Sequence, residues 1–391
     1  MSPGKQKSKL VYVPAWDVRI VRGGKEFFGL ALEMIRRATS VIHLQTYILE
    51  CDSTGRLITA ALSDAVKRGV FVYLLADGYA SRSLPVSFVN ELRAAGINFG
   101  FFAPLFKSGS LYVGRRLHHK LLVIDIAEVL TGGINISDRY NELPHQPAWL
   151  DFALYAKGTV AGELYTLCCK TWNNFRDGVD FPAARQMHSP EPSGVQSMVA
   201  VCRNDWVRRK NDVSSTYVRM LRSSASEVII ICSYFIPGRI LRQQLAAASK
   251  RGVRIRVITA GISDVGIAKQ AERYAYSFLL ENGIEIYEYC RTVLHGKMAV
   301  SDDQWMTIGS YNLNNISTYA SIELNINVDD PRIARNTAGY LRQLIMDDCN
   351  PVTCVGFHGS GGIAGKFIRW ISYVMVRIII YLFTFYYKHH H

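Results

Sequence analysis

The sequence predicts an α/β protein: two tandem domains of one fold, each a mixed sheet flanked by helices, related by a pseudo-twofold axis and followed by a C-terminal amphipathic helix. Three observations predict it. A long passage of the first half recurs in the second. Apolar strand-like runs alternate with amphipathic helix-like runs. A final apolar stretch carries a narrow basic stripe.

The repeat is seen in SVIHLQTYILECDSTGRLITAALSDAVKRGVFVYLLADG, from Ser40, and EVIIICSYFIPGRILRQQLAAASKRGVRIRVITAG, from Glu227. Each reads as a buried strand, a loop, an amphipathic helix and a second buried strand. The helices end at Lys67-Arg68-Gly69 and Lys250-Arg251-Gly252. Basic side chains in a last turn answer the free carbonyls, and Gly lets the chain reverse. Each unit continues with a helix and a short strand, FVNELRAAGINFGFF or YSFLLENGIEIYEY, then a motif strand, LHHKLLVID or LHGKMAVSD. Near-continuous apolar runs fit strands covered on both faces.

A chain of 391 residues, 49% hydrophobic and 20% charged, suits two globular domains. The expected division is a basic segment at 1–19, a first domain at 20–181, a linker at 182–198 and a second domain at 199–350. A Gly-rich hinge (351–365), a helix (366–388) and a tag remnant (389–391) follow. Pro182, Pro190, Pro192 and Gly194 mark the linker. The formal charge of +13 favours an anionic partner, nucleic acid or an anionic membrane surface. Eight scattered cysteines read as reduced core thiols; Cys349 and Cys354 have no second pair with metal-ligand spacing, so neither metal nor cofactor is expected. No apolar run follows the basic N-terminus, so the expected location of the first domain is the cytosol.

The motif strands carry His-x-Lys-x4-Asp twice: His118/Lys120/Asp125 and His295/Lys297/Asp302. Cleaving a phosphodiester without metal needs a nucleophile, an acid for the leaving oxygen and positive groups on the other oxygens. These six residues form the candidate catalytic set. Within it, Asp125 and Asp302 are expected to stabilise the strand–turn connection. On a strand, His and Lys two apart would project together into one cleft. Each motif is followed by a Gly-rich turn with an Asn, Gly132-Gly133-Ile134-Asn135 and Gly309-Ser310-Tyr311-Asn312, so Asn135 and Asn312 are candidate phosphate-binding residues. Asp151 and Glu323 interrupt apolar strands and are candidate His-orienting carboxylates.

At these residues the chain resembles the phospholipase D superfamily and, within it, short bacterial cardiolipin synthases without N-terminal transmembrane helices. Stretches such as LLVIDIAEVLTGGINIS and LHGKMAVSDDQWMTIGSYNLNNIS carry the resemblance, which runs from about Ile20 to Cys349. It implies two tandem phospholipase D-like domains and a two-step reaction. One histidine attacks to give a phosphatidyl-histidine; the other protonates the departing alcohol; an acceptor alcohol then replaces water. By family precedent His118 attacks and His295 is the acid, an assignment that the near-symmetry of the motifs leaves to that precedent. Phosphatidylglycerol is the implied substrate and cardiolipin the implied product. His119 and Leu150 stand where relatives often have Arg. A hydrolase or a nuclease of the same superfamily stays open, although nucleic acid fits the tail less well than a membrane does.

The tail, KFIRWISYVMVRIIIYLFTFYYK, is apolar enough to invite a spanning reading. Arg369 and Arg377 argue otherwise. At 100° per residue, Lys366, Arg369, Tyr373, Arg377, Thr384 and Lys388 fall on one stripe. The expectation is a helix lying in the membrane interface with that stripe near anionic head groups, at the cytoplasmic face of the inner membrane. Oligomeric state is not legible.

Overall fold

The structure, a computed structural model, describes residues 10–104, 106–107, 110–111, 115–173, 195–208, 210–314, 321–353 and 362–390. The expected linker lies mostly outside these residues, as do Cys354 and most of the expected hinge.

The first half runs β1 (Val13–Arg22), α1 (Lys25–Arg37), β2 (Val41–Thr46), α2 (Ser53–Lys67), β3 (Phe71–Asp77), α3 (Val86–Ala94) and β4 (Asn98–Phe102). A small hairpin, β5 (Phe106–Lys107) and β6 (Ser110–Leu111), leads to β7 (Arg116–Leu117), β8 (Leu121–Ile124), β9 (Glu128–Gly132), β10 (Phe152–Gly158) and α4 (Thr159–Asn173). The second half runs β11 (Gln196–Asp205), β12 (Lys210–Asn211), α5 (Asp212–Ser223), β13 (Glu227–Cys232), α6 (Arg239–Lys250), β14 (Arg254–Ile262) and α7 (Gly266–Glu281). It continues through β15 (Glu285–Val293), β16 (Lys297–Ser301), β17 (Trp305–Gly309), β18 (Ser321–Asp329), α8 (Pro331–Asp348) and β19 (Cys349–Val352) to α9 (Gly362–His390).

Hydrogen bonding orders the first half β1-β10-β9-β8-β2-β3-β4, with β2–β3 and β3–β4 parallel and the rest antiparallel. The second half repeats it as β11-β18-β17-β16-β13-β14-β15. The first strands of the two halves pair antiparallel, Val13 opposite Val199 and Trp16 opposite Gln196. Two like sheets joined edge to edge by an antiparallel pair are related by a twofold at that seam. Each half keeps a core of its own, and a third cluster joins them through Leu154, Val199, Met298 and Ile326.

The Lys-Arg-Gly ends do a further job. Gly69 and Gly252 both adopt φ +90°, the left-handed region that Gly enters at least cost. Arg68 donates to the Ile35 carbonyl of α1 at 2.8 Å, and Arg251 to the Leu221 carbonyl of α5 at 2.7 Å. Each arginine therefore satisfies a free carbonyl at the end of the preceding helix.

The motif aspartates act in the scaffold. Although they belong to the predicted catalytic set, neither points at the other motif residues. Asp125 (φ 51°) and Asp302 (φ 53°) sit in the tight β8–β9 and β16–β17 turns. Asp125 accepts from the backbone N–H groups of Thr39, Ser40 and Val41, at the start of β2. Asp302 accepts from Ala225, Ser226 and Glu227, at the start of β13. Burial would raise the Asp302 carboxyl, but these N–H groups outweigh it and hold it below its ordinary value. The stabilisation is present above the unfolded carboxylate range and is lost as pH falls through the folded value. Asp302→Ala should cost about 1–3 kcal/mol in urea unfolding at neutral pH, less in acid, with turnover of the folded fraction nearly unchanged. A large loss of turnover at unchanged stability would contradict this placement.

Among the described residues no helix is long and apolar enough to cross a membrane.

Candidate active site

Neither motif histidine lies within a strand; Lys120 also falls in the break before β8, whereas Lys297 opens β16. His118 follows β7 and precedes β8; His295 follows β15 and precedes β16. The reason is a change of partner. Arg116 and Leu117 of β7 pair with Ser321 and Ile322 of β18, in the other half, whereas β8 returns to β2 in its own half. Likewise Leu294 bridges Leu150 of the first half before β16 joins β13. The chain thus breaks at the seam, and there the backbone N–H of His118 bonds Ile322 O and that of His295 bonds Leu150 O.

That break crosses the site. His118 Nδ1 lies 2.8 Å from Glu323 of the second half, and His295 Nδ1 lies 2.6 Å from Asp151 of the first. Each histidine is oriented by the other half's carboxylate. With its Nδ1–H donated to Glu323, His118 keeps a lone pair on Nε2. Lys120 donates to His118 O at 2.9 Å; Lys297 donates to His295 O and sits 3.0 Å from His295 Nδ1. Both lysines and both carboxylates are buried.

The two pairs differ electrically. Glu323 also receives the Ser310 hydroxyl at 2.5 Å and the Ser321 hydroxyl at 2.7 Å. Burial would raise it, but His118, Lys120 and Ser310 outweigh burial and hold it below the ordinary carboxylate range. Asp151 receives the Phe152 N–H at 2.8 Å and has Gly133 where Glu323 has Ser310. Burial pushes Asp151 up to about 6, against the pull of Lys297. Burial lowers His118, with Glu323 opposing; burial lowers His295 well below its usual value, with Lys297 and Lys120 adding to it. Glu323 is thus a fixed negative charge beside His118, while Asp151 and His295 compete for a proton. Burial also brings Lys120 down to about 7 and lowers Lys297.

The Gly-rich turns make room for carboxylate and strand. A Cβ on Gly133 would stand 2.2 Å from Asp151 Oδ1, and one on Gly132 2.3 Å from Phe152 O. The Asn oxygens are engaged within the protein. Asn135 accepts from Ile48 N–H and donates to the Tyr140 hydroxyl at 2.9 Å, which uses its oxygen and one of its two amide hydrogens. Its contact with the site runs through Tyr140, whose ring meets His295 edge-on at 5.2 Å. Asn312 accepts from the Ser233 hydroxyl at 2.9 Å through Oδ1.

Several site residues escaped the sequence reading. Tyr47 meets His118 edge-on at 4.8 Å, with Lys120 Nζ 5.1 Å from its ring centre. Tyr234 donates to Asp264, whose charge acts on His295 and Lys297. Trp149 lies 6.1 Å from the His295 ring. Asp77, fully buried, accepts from Leu117 N–H at 2.8 Å and from the N–H groups of Tyr79 and Ala80, which anchors the strand ahead of His118. Asp77 ends an apolar strand as abruptly as Asp151 starts one, a signal present in the sequence. His119 is buried on the far side, without a hydrogen-bond partner, and burial lowers it to about 3, so it stays neutral.

The family model "Cardiolipin synthase, PLD-like domain" matches residues 31–148 and again 217–345. Cardiolipin synthase B of Salmonella typhi is 32% identical over 345 residues, covering 86% of this chain and 82% of that protein. Cardiolipin synthase B of Escherichia coli (strain K12) is 32% identical over 339 residues, with the same coverage. The phosphatidylserine synthase of Haemophilus influenzae Rd KW20 superposes with a TM-score of 0.71 at 14% identity, covering 95% of each chain, which speaks to the fold alone.

Proposed function

Because the chain belongs to the phospholipase D-like cardiolipin synthase family, we propose that it is a phosphatidyltransferase that makes cardiolipin and glycerol from two phosphatidylglycerols. The observation that carries this reading is the crossed pair of His–carboxylate couples at one seam, with a lysine beside each.

In the first step His118 Nε2 attacks phosphorus, and Glu323 stabilises the imidazolium character that develops. The phosphorus–oxygen bond to the glycerol head group breaks, and the proton held by the His295–Asp151 couple goes to the departing oxygen. Lys120 and Lys297 hold the non-bridging oxygens. In the second step a hydroxyl of another phosphatidylglycerol gives its proton back to His295 and attacks phosphorus. The nitrogen–phosphorus bond breaks and His118 is restored. Asn135 and Asn312 contribute by fixing the walls of the cleft. The setting is the cytoplasmic face of the inner membrane, reached peripherally.

Phosphatidylglycerol vesicles should yield cardiolipin and glycerol in equal amounts. Phosphatidic acid as the sole lipid product would instead make the enzyme a hydrolase. Lys120 carries its charge below about pH 7. Therefore kcat/KM for anionic lipid should fall as pH rises through that value, while kcat at saturation falls later, because a bound phosphodiester favours the ammonium form. A kcat/KM flat across that range would remove Lys120 from the phosphate site.

A further inference from the structure

The tail helix docks the opposite way round from the sequence expectation. The stripe expected to face head groups is turned toward the protein at its centre. Arg369 and Ser372 are buried, Val376 packs with Ile236 and Ala271, and Tyr373 stacks on Tyr274 of α7 at 4.6 Å. These positions, i, i+3, i+4 and i+7, form one edge of α9. Much of the rest of the described helix surface is apolar and exposed: Phe367 (57%), Ile368 (51%), Trp370 (47%), Ile371 (39%), Met375 (45%) and Ile378 (52%). A helix with its polar edge inward and its apolar face outward inverts the usual surface pattern.

The face continues toward the candidate site. Ile262 at the end of β14, Val265 in the connection and Ile267 at the start of α7 are also exposed, and they flank Asp264, which accepts from Tyr234. Ile236, against which Val376 packs, lies two residues beyond Tyr234. Lys366 and Arg377, exposed at the edges of the apolar face, and the +13 net charge suit an anionic lipid surface.

We propose that α9, clamped on α7, and the 262–267 loop form one rigid apolar platform that enters the head-group boundary of an anionic bilayer and aims the cleft at the lipid. This inference rests on the phosphatidyltransferase reading, since a diacyl substrate must bring its phosphate from the bilayer to the two histidines at the seam. It goes further in assigning α9 an orienting task that a flexible anchor would not perform.

Two double variants test it. Trp370→Glu/Ile371→Glu should lower co-sedimentation with phosphatidylglycerol vesicles by roughly tenfold or more. Tyr274→Ala/Tyr373→Ala, which loosens the clamp and leaves the apolar face intact, should keep vesicle binding. Its transfer rate on vesicles should fall by roughly tenfold, with turnover of dispersed short-chain phosphatidylglycerol within about twofold of wild type. Unchanged vesicle binding by the first variant would overturn the platform, and full vesicle turnover by the second would reduce α9 to a tether. Self-association without lipid, abolished by the first variant, would assign the face to a second copy. If the wild type binds vesicles as expected yet transfers no phosphatidyl group from either substrate form, the phosphatidyltransferase reading fails and the platform stands.

Discussion

His118→Ala should reduce cardiolipin formation from phosphatidylglycerol by at least about 10³-fold, and His295→Ala by a similar factor. The two losses have different causes. Without His118 there is no nucleophile, so no donor can rescue the variant. Without His295 the nucleophile remains, but the glyceryl oxygen must leave unprotonated. A donor with a phenolic leaving group needs no such proton. With it, His295→Ala should recover most of its first-step rate and His118→Ala should recover none. Both side chains lie at the seam between the halves, so unfolding midpoints should accompany the rates. Equal rescue of both variants, or of neither, would contradict the assigned roles.

Glu323→Gln should lower kcat by roughly 10²–10³-fold with little change in KM, since Gln keeps the size of Glu323 but not the charge beside the His118 imidazolium. Asp151→Asn should cause a comparable loss with phosphatidylglycerol. The phenolic donor again separates them. Asp151 acts through the acid His295, so Asp151→Asn should be nearly silent in release of the phenol, whereas Glu323→Gln should stay impaired. Pairing within each half would give the reverse, with Asp151 serving His118. The pattern therefore tests the crossing itself. Ser310, which gives Glu323 its 2.5 Å hydrogen bond, has no counterpart at Gly133, and this places the stronger anion beside the first histidine.

Much of the fold was legible because the duplication repeats every signal. The Lys-Arg-Gly stops at Gly69 and Gly252 and the apolar runs of β2, β3, β13 and β14 each appear twice. The candidate residues were legible as chemical types: His118, His295, Asp151 and Glu323 interrupt apolar sequence, and burial of the last three and partial burial of His118 force them to find partners. Which carboxylate serves which histidine was not legible. That follows from β7 leaving its own half to pair with β18, a long-range choice with no local trace. Strand alternation also misplaced the histidines, since it assumes a continuous strand where the chain changes partners. The Asn residues read as phosphate donors, but the bonds that hold Asn135 to Ile48 and Tyr140 have no local trace. The basic stripe of α9 was expected to face anionic head groups because sequence periodicity gives a face but not what lies against it.

The most direct test is the position of the covalent intermediate. His295→Ala, mixed rapidly with a phenolic phosphatidyl donor and quenched, should carry one phosphatidyl group on the peptide containing His118. His118→Ala under the same conditions should carry none. A phosphatidyl group on His295, or no adduct in either variant while the phenol is released, would contradict a single cleft in which His118 attacks and the His295–Asp151 couple supplies the proton.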